Sequence, residues 1–129
     1  MSNAAILCVD DEASILKALK EQLKRCFGGQ YVYEVALSAH EAWEVIDEFE
    51  EEGIKILIIV SDWLMPHIRG DEFLAAVHQR FPEIITVMLT GQADEVAIER
   101  ARLTANLYSC IHKPWTEEEL KQVISTALQ

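Results

Sequence analysis

Residues Ile56 to Val60 form an unbroken run of five aliphatic side chains, followed at once by Ser61 and a single acid, Asp62. A run this short and this rich in β-branched residues is predicted as a strand buried on both faces, of the kind found in the middle of a parallel sheet. Asp62 then stands where the strand emerges, at its carboxyl end. Open α/β sheets build their ligand sites at that edge. Pro66 keeps the chain from continuing as strand and fixes the loop that follows. A lone Asp in this position is most simply a strand-end cap, so the other strand ends decide its meaning.

The rest of the chain supplies them. Ala5 to Val9 reads as a short apolar strand ending in Asp10-Asp11-Glu12, and Ile15, Leu16, Leu19, Leu23 and Phe27 then recur at helical spacing up to Gly28-Gly29. Tyr31 to Leu37 is strand-like, and Ser38 with Glu41 forms a capping box that opens a helix burying Ala42, Val45, Ile46 and Phe49. After the Pro66 loop and Gly70, a helix carries Phe73, Leu74, Val77 and Phe81, with Trp43, Phe73 and Phe81 expected in the core. Ile84 to Leu89 is a further strand ending in Thr90-Gly91, and a shorter helix runs from about Asp94 to Leu103. Leu107 to Ile111 is the last strand, ending at His112-Lys113-Pro114, and Thr116 with Glu119 caps the closing helix. Five strands alternating with five helices imply a parallel sheet with right-handed crossovers and helices on both faces. The expected fold is α/β, flavodoxin-like and doubly wound, with strand order 2-1-3-4-5 and a switch point between the first and third strands.

A length of 129 residues, half of them hydrophobic, is one domain with a core of its own. Its expected span is 5–129, with Ser2-Asn3-Ala4 reading as a cloning scar outside it. Eleven basic against 22 acidic side chains leave a net charge of −11, which argues against nucleic acid or an anionic membrane as a direct partner. Cys8, Cys26 and Cys110 are odd in number and widely spaced, as expected for reduced core residues of a cytoplasmic protein. No apolar run approaches a membrane span, and no signal peptide is visible. The four histidines, His40, His67, His78 and His112, show no ligand spacing and are expected at the surface or at edges.

With the strand order assumed, four carboxyl ends converge, bringing Asp10, Asp11, Asp62, Thr90 and Lys113 into one shallow pocket. Three carboxylates crowded together repel and raise one another's pKa unless a cation joins them. An all-oxygen set without His or Cys suits Mg²⁺. Such an ion would leave Asp62 ionised and nucleophilic, while Lys113 and the Thr90 hydroxyl could grip an incoming phosphoryl group. Singly, Asp10-Asp11 reads as a helix-start acid pair, Thr90-Gly91 as a turn and Lys113 as a surface lysine. Joint placement at successive strand ends reverses those readings.

Val9-Asp10-Asp11-Glu12, Ser61-Asp62 with Met65-Pro66, Leu89-Thr90-Gly91 and Lys113-Pro114-Trp115 together resemble the signature of receiver domains of two-component response regulators. The resemblance covers essentially the whole chain. It implies a signalling switch rather than a turnover enzyme, with Asp62 accepting a phosphoryl group from a phosphohistidine. It also implies Mg²⁺ bound by Asp11, by Asp10 mainly through water, by Asp62 and by the backbone carbonyl of Leu64. Thr90, Gly91 and Lys113 would bind the phosphoryl group, Thr90 shifting inward, and the Lys113-Pro114 bond would be cis. The implied partners are a sensor histidine kinase or phosphotransfer protein and an output domain or downstream protein, with homodimerisation through the last helices left open.

Two positions depart from the family pattern. Cys110 stands where Tyr or Phe usually swings inward, so activation is expected to pass through the helix after Thr90, with Tyr108 or Trp115 reporting it. Leu64 stands where a polar residue is common, so the phosphoryl group should be long-lived, with Gln92 the nearby polar side chain able to help its loss. A dinucleotide-binding domain is disfavoured because the first strand-to-helix turn has no glycine. An aspartate-nucleophile phosphatase would need an acid at Leu64. The alternative kept is a degenerate receiver that only mediates protein contacts.

Overall fold

The computed structural model describes residues 3–91 and 95–129. Its elements are β1 (Ala4–Val9), α1 (Ala13–Phe27), β2 (Val32–Ala36), α2 (Ala39–Glu52), β3 (Lys55–Asp62), α3 (Gly70–Arg80), β4 (Ile85–Thr90), α4 (Glu95–Thr104), β5 (Ser109–His112) and α5 (Glu117–Ala127), with a single 3-10 turn at Gly28–Gln30. All strand pairs are parallel and the order is β2-β1-β3-β4-β5. The flavodoxin-like fold expected from the alternation is the fold observed.

The aliphatic run in β3 is central because its side chains serve both layers. Ile56 and Ile59 join Leu7, Val9 and Met88 in a core closed by Ala42, Ile46 and Phe49 of α2, Phe73, Leu74 and Val77 of α3, and Ile98 and Ala101 of α4. Ile58 and Val60 face the opposite way, meeting Leu16, Leu19 and Leu23 of α1 and Leu120 and Ile124 of α5. An irregularity in the β1–β3 register between Ala5 and Ile6 skips Leu57. Strict alternation therefore resumes only at Ile58. Each fully buried Leu or Ile contributes about 1.5–3 kcal/mol, so the two layers together fix the strand ends that carry polar groups.

Several boundaries move. β1 takes in Ala4, and the Lys55 amide donates to the Asn3 carbonyl at 2.7 Å. β4 reaches Thr90, and β5 starts at Ser109 rather than Leu107. The start expected for the fourth helix, Asp94, lies outside the described residues, and α4 runs from Glu95 to Thr104. Of the cysteines only Cys8 is fully buried; Cys26 and Cys110 are half-buried, because they lie at a helix rim and on an edge strand. Trp43 and Phe81 are likewise half-buried at the rim, where the Arg80 guanidinium covers both rings at 5.0 and 5.1 Å. Phe73 alone of that trio is fully buried. His40, His67 and His112 are exposed and His78 half-buried. Among the described residues no helix is long and apolar enough to cross a membrane.

Candidate functional site

The parallel ladder continues past the ends of β3 and β5. The Trp63 amide donates to the Leu89 carbonyl at 2.9 Å, and the Lys113 amide donates to the Thr90 carbonyl at 2.8 Å. These bonds bring Asp62, Thr90 and Lys113 side by side. Asp10 leaves β1 in the same row, with its amide held by the Ala36 carbonyl at 3.1 Å and its Oδ1 accepting the Glu12 amide at 2.8 Å.

The side chains converge accordingly. Carboxylate oxygens of Asp10, Asp11 and Asp62 lie within 4.8 Å of one another. Lys113 Nζ sits 3.0 Å from Asp10 Oδ2 and 2.9 Å from Asp62 Oδ1, bridging the first and third strands from the fifth. Asp10 and Thr90 are buried, Asp62 is nearly so, and Asp11 is exposed at the mouth. Burial pushes the Asp62 carboxyl above its ordinary value. The Lys113 hydrogen bond opposes that rise, and the charges of Asp10 and Asp11 reinforce it. Burial works against the charge of Lys113, yet its bonds to Asp62 and Asp10 outweigh it and hold the ammonium above the usual lysine value.

One ammonium among three carboxylates leaves the pocket negative. A small hard cation fits that imbalance and the all-oxygen donor set, with Asp11 on the open side. Gly91 is exposed with open space where a side chain would be, and the Lys113-Pro114 bond is cis as expected. Gln92 lies outside the described residues. Leu64 is 54% exposed beside Asp62, whereas the next residue, Met65, is buried and anchors the loop.

The family described as response regulator receiver domain matches residues 6–125. The chain belongs to this family. The hydrogenase transcriptional regulatory protein HoxA of Cupriavidus necator is 32% identical over 126 residues, covering 98% of this chain and 24% of that protein. This receiver domain thus spans about a quarter of the length of the curated relatives it first matches. The signal receiver domain of an HD domain-containing protein from Pseudomonas fluorescens Pf-5 superposes with a TM-score of 0.85 at 27% identity, covering 97% of this chain and 94% of that one. A CheY-like receiver domain from Methanospirillum hungatei JF-1 gives 0.82 at 30% identity, covering 97% and 93%.

Within this receiver domain, Asp10, Asp11, Asp62, Thr90 and Lys113 all stand at one sheet edge. Cys110 is paired beside Met88 and packs against the α2–α4 layer, where burial raises its thiol pKa. Trp115 does not face that layer. Its indole N–H donates to Gln22 Oε1 of α1 at 2.7 Å, and its ring packs on the α1–α5 side, so it reports on α1 rather than on α4. Tyr108 is 44% exposed and stays available as a reporter.

Two residues were overlooked in the sequence. A Cβ on Gly70 would collide with the Asp62 carbonyl, so α3 starts in direct contact with the main chain of the acid. Asp71 is only 2% exposed, with both oxygens held by Arg69. The one sequence signal was a glycine placed at the expected start of a helix.

Proposed function

We propose that Asp62 accepts a phosphoryl group from a phosphohistidine of a sensor kinase or phosphotransfer protein, and that the resulting change controls an output domain or downstream protein. The observation that carries this reading is the Lys113 bridge to Asp10 and Asp62 beside a third carboxylate, Asp11. In the step, an Asp62 oxygen forms the new bond to phosphorus as the bond from phosphorus to the donor nitrogen breaks. The imidazole leaves with that electron pair. Asp10, Asp11, Asp62 and the Leu64 carbonyl would hold Mg²⁺, which when bound neutralises charge on the phosphoryl oxygens.

Lys113 already lies against Asp62 and would turn part of its charge to the phosphoryl oxygens, with the Thr90 hydroxyl and the backbone around Gly91 completing the grip. Leu64 cannot orient a hydrolytic water, which favours a long-lived phosphoaspartate and argues against turnover as an enzyme. With Cys110 too small for a ring swing, the inward move of Thr90 would act on α4. The net charge of −11 supports a protein partner over direct nucleic-acid contact, and a cytoplasmic setting fits the reduced cysteines.

The test is incubation with Mg²⁺ and acetyl phosphate followed by intact mass and peptide mapping. One added phosphoryl group at Asp62 is expected, lost in Asp62→Asn and slowed in Asp11→Asn or without Mg²⁺. No modification under saturating donor would favour the degenerate receiver, and modification elsewhere would overturn the acceptor assignment.

A further inference from the structure

The acid at the end of β3 is held from two directions. Lys113 holds its side chain, while its main chain is pressed by Gly70, the first residue of α3. The Gly70 amide donates to the Trp63 carbonyl at 2.7 Å, closing the loop between residues 63 and 70 on itself. Gly70 itself contributes only that main-chain bond to the approach, because glycine has no side chain and the least restricted backbone. The residues on either side of it add side-chain bonds.

Arg69 curls forward over the first turn of α3. Its Nε lies 3.2 Å from Asp71 Oδ1 and its Nη2 3.3 Å from Asp71 Oδ2, a two-point fork, and Nη2 also reaches Glu72 Oε1 at 3.2 Å. Asp71 is 2% exposed while Arg69 is 41% exposed, so the pair pins a half-exposed arm to a buried anchor. A surface pair would contribute little, but an Arg fork on a buried carboxylate fixes geometry, since neither oxygen has water as an alternative. The pair therefore bridges Gly70 from residue 69 to residue 71 and sets the angle at which the glycine meets Asp62. It also fixes the exit of the loop that carries Leu64. Its two-residue span makes it a local brace, unlike the long-range bonds of Lys113.

We propose that Arg69 and Asp71 are positioning residues for the acceptor. Their ion pair holds Gly70 against the Asp62 main chain, and so keeps the Asp62 carboxylate and the Leu64 carbonyl in place for phosphoryl transfer. The inference rests on Asp62 being the acceptor. Neither side chain touches the transferring group. Their effect is on alignment, where displacements of about 1 Å cost up to about a hundredfold in rate.

Arg69→Ala alone would strand a buried carboxylate and compromise folding. The informative variant is the double replacement Arg69→Gln with Asp71→Asn, which removes both charges and keeps similar volumes. It is compared with wild type and Arg69→Lys, well below the melting temperature of each. Three quantities are measured: the maximal rate of acetyl phosphate labelling at saturating Mg²⁺, the half-saturating donor concentration, and hydrogen exchange of the Gly70 amide in the metal-free protein. The double variant is expected to lose about tenfold or more in maximal rate with the half-saturating donor concentration unchanged. Its Gly70 amide should exchange faster, and Arg69→Lys should fall between the two, because a point charge keeps one of two contacts. A double variant that labels within twofold of wild type overturns the proposal, as does a rate loss matched by the fraction of protein unfolded. Wild type that takes no phosphoryl group at Asp62 overturns the acceptor reading, and the positioning role with it.

Discussion

Alanine in place of a glycine inside a helix is ordinarily a gain of about 1 kcal/mol. At Gly70 the sign reverses, because the added methyl meets the Asp62 carbonyl and the Cα of Trp63, both of them backbone. Neither can yield without moving β3 or α3, so Gly70→Ala is expected to cost about 2 kcal/mol or more, read as a lower urea midpoint, and to slow labelling at Asp62. Asp62 itself is predicted to oppose stability. Its carboxyl pKa is raised above the ordinary 3.8 by burial first and by its acidic neighbours, against the pull of Lys113. An acid with a raised folded pKa binds its proton more tightly in the native state. Its penalty is therefore fully present above that raised value, shrinks as pH falls through it, and is gone below 3.8. Asp62→Asn should thus be more stable than wild type in urea melts at neutral pH, and the advantage should vanish in acid. Asp10, Asp11, Asp62, Thr90 and Lys113 were legible as candidates because each lies within two residues of the end of an apolar run. Gly70 and Asp71 were not, because a steric approach and a buried fork are set by two elements meeting, which no spacing rule records.

The helices show the same division between local and spatial signals. Ser38 and Thr116 were read as caps from their own sequence neighbourhoods, and each hydroxyl accepts the amide three residues on, Glu41 and Glu119, at 3.1 Å. At α1 the N-cap Glu12 makes no side-chain cap bond. The Glu12 amide instead donates to Asp10, so an acid of the pocket also organises the helix start. Ser38→Ala should cost about 1 kcal/mol in a thermal or urea melt, while Glu12→Ala should change stability by a few tenths at most. The ends of β4 and β5 were misjudged because hydrogen bonding, not hydropathy, carries them to Thr90 and His112. Trp115 could be placed at the start of α5 from sequence, but which layer its ring meets is set by a partner distant in sequence, Gln22 of α1.

Across the whole molecule, the acids that give the charge of −11 are spread along exposed faces such as 47–52 of α2 and 117–119 of α5, while the pocket concentrates three carboxylates around one ammonium. That ammonium joins residues 103 positions apart, Asp10 and Lys113. Bringing such distant points together costs loop-closure entropy that is recovered only once the intervening strands are in place. The bridge should therefore be absent from the folding transition state and present only on the native side of the barrier. Lys113→Met is then expected to leave the refolding arm of a chevron plot where it is and to raise the unfolding arm. Read this way, Lys113 governs how long the native domain persists before opening, and a ligand that draws the ammonium away from Asp10 would alter that lifetime without touching the speed of folding.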